Sequence, residues 1–166
     1  MPDKATLERA KKDKREGKAP STQAGEFVRE EIEHIREGKH GARSTKQAIA
    51  IGLSKARRAG VDLPPPEKGA TSEQTRRSAA SAYQAGQEGD RKVSPARSRA
   101  ATRALKREGH SAASKKALSR HAHAAAADKT AAERSIAARK AVKTKGAAER
   151  SAAARKAART RARTSG

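Results

Sequence analysis

The chain has no cysteine and no tryptophan, and only one phenylalanine, one tyrosine and one methionine among its 166 residues. Without cysteine there is no disulfide framework, no thiolate nucleophile and no thiolate zinc site. Two aromatic residues are too few for the stacking platforms that hold single-stranded nucleic acid. Large apolar residues are also scarce: Val, Ile, Leu, Met, Phe and Tyr together number 17, and alanine supplies the other 39 hydrophobic positions. Alanine buries little surface, so at roughly 25 cal/mol per Å² these residues do not offset the entropy of ordering the whole chain, and one core spanning it is not expected. No apolar run is long enough to cross a bilayer, and the opening MPDKATLERAKKDKREGKAP lacks the apolar stretch of a secretory signal. The expectation is a cytoplasmic protein without a membrane partner.

What the chain does have is positive charge. Forty Lys and Arg face 18 Asp and Glu, a formal charge of +22, which points to a polyanionic partner, nucleic acid first. The charge is uneven. Residues 91–166 hold 22 basic and 4 acidic side chains, whereas residues 1–90 hold 18 and 14. Nine of the 17 large apolar residues fall between Phe27 and Leu63, so the folded part is expected there. The fold class expected is all-α: a short helical hairpin with flanking helices and a largely disordered or conditionally helical basic tail. The divisions are a charged N-terminal segment (1–20), a hairpin module (21–63), a proline-containing linker with a weak helix (64–90) and the basic tail (91–166).

Val28, Ile32 and Ile35 follow i, i+4, i+7 spacing, as do Ile49, Leu53 and Ala56, giving each hairpin helix one apolar stripe. Ser21 or Thr22 suits the start of the first helix, and Ser44 with Gln47 makes a capping box for the second. Gly38, Gly41 and Gly60 supply breaks, and Pro64, Pro65 and Pro66 end the pattern. About 40 residues is near the lower limit for independent folding, so the hairpin is expected to need its neighbours. Those are a charged helix over 5–15 and a weak helix from Thr71 and Gln74 to about Gln84, with Tyr83 its only large apolar residue.

In the basic half, Ser94 and Pro95 open a helix that stops at Gly109. Beyond it, AAERSIAARKAVKTKG (131–146) and AAERSAAARKAARTRA (147–162) share 11 of 16 positions, and SAASKKALSR from Ser111 is a looser copy. With almost nothing to bury, these repeats are too short for a solenoid. Alanine, lysine and arginine favour helix while crowded like charges oppose it, so a polyphosphate partner is expected to raise the helicity. The nucleic-acid-binding candidates are Arg97, Arg99, Arg103, Lys106, Arg107, Lys115 and Lys116, then Arg134, Arg139, Lys140, Lys143 and Lys145, and finally Arg150, Arg155, Lys156, Arg159, Arg161 and Arg163. At 100° per residue the cations of each repeat lie on two opposite sides, suited to phosphates rather than base edges.

Other motifs carry less. Gly38-Lys39-His40-Gly41 has the outline of a G-x-x-G backbone clamp, but KH domains need strands and none is indicated; Lys39, His40 and Arg43 remain candidates for phosphate contact on an interhelical loop. Ser94-Pro95-Ala96-Arg97 resembles the Ser-Pro turns of linker-histone tails and equally starts a helix. His121 and His123 read as a solvated pair rather than a metal site. Glu30, Glu31, Glu33 and Glu37 read as a solvated helix face, with docking against the basic tail as the alternative. No nucleophile elbow or triad is present. The chain is expected to be no enzyme, with no cofactor, no metal and no small-molecule substrate.

The stretch STQAGEFVREEIEHIREGKHGARSTKQAIAIGLSKARRAGVDLPPP, above all KQAIAIGLSKAR, resembles a bacterial family of small basic proteins with a domain of unknown function. The likeness runs more loosely through SPARSRAATRALKREGHSAASKKALSRHA, to residue 122. It implies a bacterial protein and assigns no residue a role. The alanine-rich basic repeats are similar in composition to histone-H1-like and nucleoid-protein tails, which implies a nucleoid-associated DNA binder. The expected function is thus sequence-independent nucleic-acid binding through the basic half, duplex DNA ahead of RNA. The alternatives are a protein-interaction module at residues 22–60, using Phe27, Ile35, Ile51 and Val61 with the tail as anchor, or an RNA- or ribosome-associated factor.

Overall fold

A computed structural model describes residues 2–89, 94–144 and 146–164. Its helices are α1 (Lys4–Arg15), α2 (Pro20–Arg36), α3 (Thr45–Arg58), α4 (Glu73–Gln87), α5 (Pro95–Lys106), α6 (Lys115–Ala127), α7 (Ala131–Thr144) and α8 (Ala147–Thr164), with a 3-10 turn at Ser111–Ala113. There is no strand among the described residues, and the protein is all-α as expected.

Local chemistry explains the helix ends. α2 starts at Pro20, with Ala19 before it and no side-chain cap: the fixed φ of proline suits the first helical position, and the hydroxyls of Ser21 and Thr22, expected to open the helix, lie inside it. It ends in a Schellman turn, where Gly38 donates to the Ile35 carbonyl (3.2 Å) and Lys39 to the His34 carbonyl (3.0 Å). That turn needs a left-handed residue, and Gly38 supplies it at φ +75°. α3 begins where expected, with Ser44 Oγ accepting from the Gln47 amide (3.2 Å). The Gln47 side chain reaches back one residue further than a standard box, to the Arg43 amide (2.7 Å). α4 is capped by Ser72, whose Oγ accepts from the Thr75 amide (3.2 Å), one residue after the expected Thr71.

Packing divides the chain into two units, Met1–His121 and Ala122–Gly166. In the first, α2 packs against α1 and α3, and α4 packs against α3. One core cluster joins Ala10, Ala24, Phe27, Ala56 and Val61, flanked by Leu7, Leu53 and Leu63. A second joins Ile32, Ile35, Ala42, Ala48, Ala112 and Ala113, flanked by Val28 and Leu118. The hairpin therefore does have neighbours on both sides. One of them is the 3-10 turn from within the basic half, held by Thr45 Oγ1 donating to the Ala112 carbonyl (2.7 Å) and Arg36 Nε donating to the Ala113 carbonyl (2.8 Å). The loop between α2 and α3 is tied to the end of α5 by Gly41 N–H to the Leu105 carbonyl (2.9 Å) and Ala42 N–H to the Gly109 carbonyl (3.0 Å).

Two expectations are corrected here. The buried face of α3 is Ala48, Gly52 and Ala56, while Ile49 and Leu53 are only half-buried. The reason is the closeness of the α2–α3 crossing: a Cβ at Gly52 would lie 2.6 Å from Val28 Cα, so only small residues fit at the contact. Nor are Glu30 and Glu31 a solvated face. Both are buried, and Lys55 Nζ of α3 lies 2.6 Å from Glu31 Oε2 and 3.6 Å from Glu30 Oε1. In α2's 3.6-residue period these carboxylates fall on the side that faces α3, which the lysine makes tolerable. Phe27, Ile35 and Val61 line the protein's own core, and Ile51 is half-buried on α3.

In the second unit, α7 and α8 have every described side chain exposed, including Ile136 (64% exposed) and Val142 (52%). α7 opens on a reciprocal capping box: the Glu133 amide donates to Thr130 Oγ1 (3.2 Å) and the Thr130 amide to Glu133 Oε2 (2.8 Å). The Thr130 amide, and then its hydroxyl, which donates to the same Oε2 (2.8 Å), hold the Glu133 carboxyl below its ordinary pKa.

Candidate nucleic-acid interface

The expected binding residues fall into three sets, one on and after α5, one on the repeat helices α7 and α8, and one at the start of α6. Arg97, Arg99, Arg103 and Lys106 stand exposed on α5, followed by Arg107. α5 buries none of its residues. In α7, Arg139, Lys140 and Lys143 surround Ile136 on one side of the helix, with Arg134 roughly opposite by helical geometry. In α8, Arg155, Lys156, Arg159 and Arg163 share a side and Arg150 and Arg161 lie near its opposite. Lys145 lies outside the described residues. The two-sided arrangement thus follows from helical phase, and all these described cations are exposed.

The third set is in the folded unit. Lys116 joins Arg43 and Arg120 in lining a shallow groove with Ser44, Thr45, Ser111 and Ser114; Lys115, its neighbour, is exposed on the same helix. α6 and α3 both begin beside this groove, with Ser114 Oγ accepting from the Ala117 amide (3.2 Å) as Ser44 does for α3. No acidic residue lines it. Arg43 comes from the loop that carried the G-x-x-G outline, but its companions do other things: Lys39 pairs with Glu37 (3.0 Å) and His40 Nε2 faces Glu31 Oε1 (3.3 Å). Arg120 was not among the residues expected from sequence, because nothing local distinguishes it from other tail cations; the groove exists only once the 3-10 turn docks.

His121 and His123 sit two positions apart on α6, about 200° around the helix, so they do not converge on one ion. No described helix is long and apolar enough to cross a membrane.

A domain of unknown function, DUF6496, is found at residues 11–68. It begins within α1 and takes in α2, α3 and the three prolines, so the segment KQAIAIGLSKAR lies inside it, whereas the looser likeness over residues 94–122 lies outside. Its description carries no activity. No curated protein and no solved structure matches the chain. The domain therefore covers the hairpin and its buried carboxylates, and none of the expected binding residues of the basic half.

Proposed function

We propose that this protein is a non-catalytic, largely sequence-independent nucleic-acid binder that engages duplex DNA through its basic C-terminal half. The observation that carries the proposal is the composition of α7 and α8: two helices with no buried described side chain and cations on opposite sides. Helices of this kind gain nothing from packing, and their repelling charges are relieved by phosphates. α8, with 18 residues, is about 27 Å long and spans about eight base-pair steps. With cations on both sides it reaches both walls of a groove. The basic half has no Asn and one Gln fewer than would be needed even for a single adenine contact, since it contains neither residue, so specificity by base readout is weak. The likeness of the repeats to histone-H1-like tails supports a bacterial, cytoplasmic, nucleoid-associated setting.

Salt-titrated binding tests this. If about eight phosphates are neutralised, log K falls against log salt with a slope of roughly −7 on duplex DNA. Replacing the α7 and α8 cations by glutamine in the full chain should remove most of that slope. An unchanged affinity and slope would refute the assignment to these helices. Circular dichroism should show helicity rising on DNA addition, and tighter binding to structured RNA than to duplex DNA would favour an RNA partner.

A further inference from the structure

A cluster on the first unit, unrelated to the cationic surface, has the donors and geometry of a metal site. Glu31 and His34 stand one turn apart on α2, and the chain after the Schellman turn brings His40 back over them. One ligand atom from each of the three lies within 4.8 Å of the others. The Glu31 side chain is fully enclosed, and those of His34 and His40 are 12% and 15% exposed. Neither Glu31 oxygen, nor Glu30 Oε1, has a hydrogen-bond partner of acceptable geometry. Lys55 gives Glu31 Oε2 a close ion pair (2.6 Å), so charge is partly met there while directed bonding is not. Oε1 faces His40 Nε2, at 3.3 Å.

That last contact is informative. His40 Nδ1 lies 3.1 Å from the Gly41 carbonyl, which only accepts, so Nδ1 carries a proton. In the neutral ring Nε2 then turns a lone pair toward a buried carboxylate oxygen. In that arrangement Nε2 and Glu31 Oε1 can both offer a lone pair to one cation held between them. Two ligand atoms on a tetrahedral ion with bonds of about 2.0 Å are themselves about 3.3 Å apart. His34 Nε2 is 3.3 Å from Asp3 Oδ2, and the Asp3 amide donates to Glu30 Oε2 (3.1 Å), so as a ligand beside Glu31 and His40 it uses Nδ1, with Asp3 on its other nitrogen. A carboxylate there fixes the ring's tautomer and orientation.

We propose that Glu31, His34 and His40 bind a divalent first-row transition ion of the zinc class. Two imidazoles and a carboxylate suit such an ion better than magnesium or calcium, which prefer all-oxygen shells. Water completes the coordination. Lys55 stays on Glu31 Oε2 and balances Glu30, while Asp3 holds His34 from behind.

The test is calorimetric titration of the chelator-treated full chain with zinc. One tight equivalent is expected, weakened at least tenfold by His34→Ala and by His40→Ala and unchanged in the double variant His121→Ala/His123→Ala. Asp3→Asn, at an exposed position that leaves the core intact, is expected to weaken binding about tenfold through His34. Tyr83 fluorescence on unfolding checks that each variant is folded. The proposal is overturned if the wild-type chain takes up zinc no more tightly than the His34 and His40 variants, or if the tight equivalent disappears with His121 and His123.

Discussion

Replacing Gly52 by alanine sets two magnitudes against each other. In an exposed helix interior the exchange stabilises by about 1 kcal/mol, because glycine is a poor helix former. At Gly52 the added Cβ would meet Val28 Cα at 2.6 Å, Val28 N at 2.9 Å and Val28 Cγ2 at 3.0 Å. Two of these are backbone atoms of a packed helix and cannot rotate aside, so α2 and α3 must separate and loosen both core clusters. Overpacking of this kind costs about 1–3 kcal/mol, which at least offsets the propensity gain, and the net expectation is a loss of up to about 2 kcal/mol. Gly25, in the interior of α2, is the control: a Cβ there meets nothing within 4 Å, so Gly25→Ala should stabilise by up to about 1 kcal/mol. The assay is thermal or urea unfolding followed by Tyr83 fluorescence, since the single tyrosine lies on α4 with its hydroxyl donating to Asp62 Oδ1 (2.6 Å). For a unit of this size 1 kcal/mol corresponds to roughly 4 °C in Tm, so the two variants should move the midpoint in opposite directions. If Gly52→Ala raised Tm as Gly25→Ala does, the close crossing would be wrong, and with it the explanation for the small-residue face of α3.

Arg57→Ala should destabilise the first unit by about 1–3 kcal/mol, measured by the same unfolding assay: the side chain is buried, donates to the Leu63 carbonyl (3.0 Å) and the Pro64 carbonyl (3.3 Å), and fastens the start of the proline run to α3. Glu73, at the start of α4, has its carboxyl lowered to about 2 by hydrogen bonds from Arg76 and then Arg77. Because that pKa is depressed, its support for α4 is complete above the ordinary carboxylate value of 4.5 and disappears as pH falls through about 2. An NMR titration of the Glu73 carboxyl should give a midpoint near that lower value, and a midpoint near 4.5 would mean that the arginine contacts are absent in solution.

Much of the secondary structure was legible in local chemistry. Ser44 and Gln47, Pro95, and Gly38 each act through neighbours within five residues, so the sequence pattern is enough to place the starts of α3 and α5 and the end of α2; Ser94 makes no side-chain cap, and α5 ends at Lys106, before the expected stop at Gly109. The misplaced starts of α2 and α4 are shifts of one or two residues between adjacent candidate caps, where Pro20 and Ser72 prevailed. The α3 face was harder. Ile49 and Leu53 form as regular a stripe as Ala48, Gly52 and Ala56, and hydrophobicity favours the larger residues. The distance of the crossing reverses that choice, and it is a property of two helices together. Glu30 and Glu31 were hidden for the same reason, because their counter-ion Lys55 is more than 20 positions away on another helix. Glu31-x-x-His34 on one helical face was a readable signal, but its third member, His40, needed the turn at Gly38 to return.

What the sequence by itself determined is the charge and its division, the all-α class and several helix starts and stops: composition sums along the chain, and caps, breaks and helical phase act over a few residues. The tertiary structure decided which faces are interior. It buried Ala112 and Ala113, from a stretch that reads as basic tail, against Ile35 and Ala48. It also enclosed two carboxylates beside a lysine and two histidines. Burial depends on which distant surfaces meet and how closely, and in a chain whose apolar residues are mostly alanine the size of the side chain alone does not announce it.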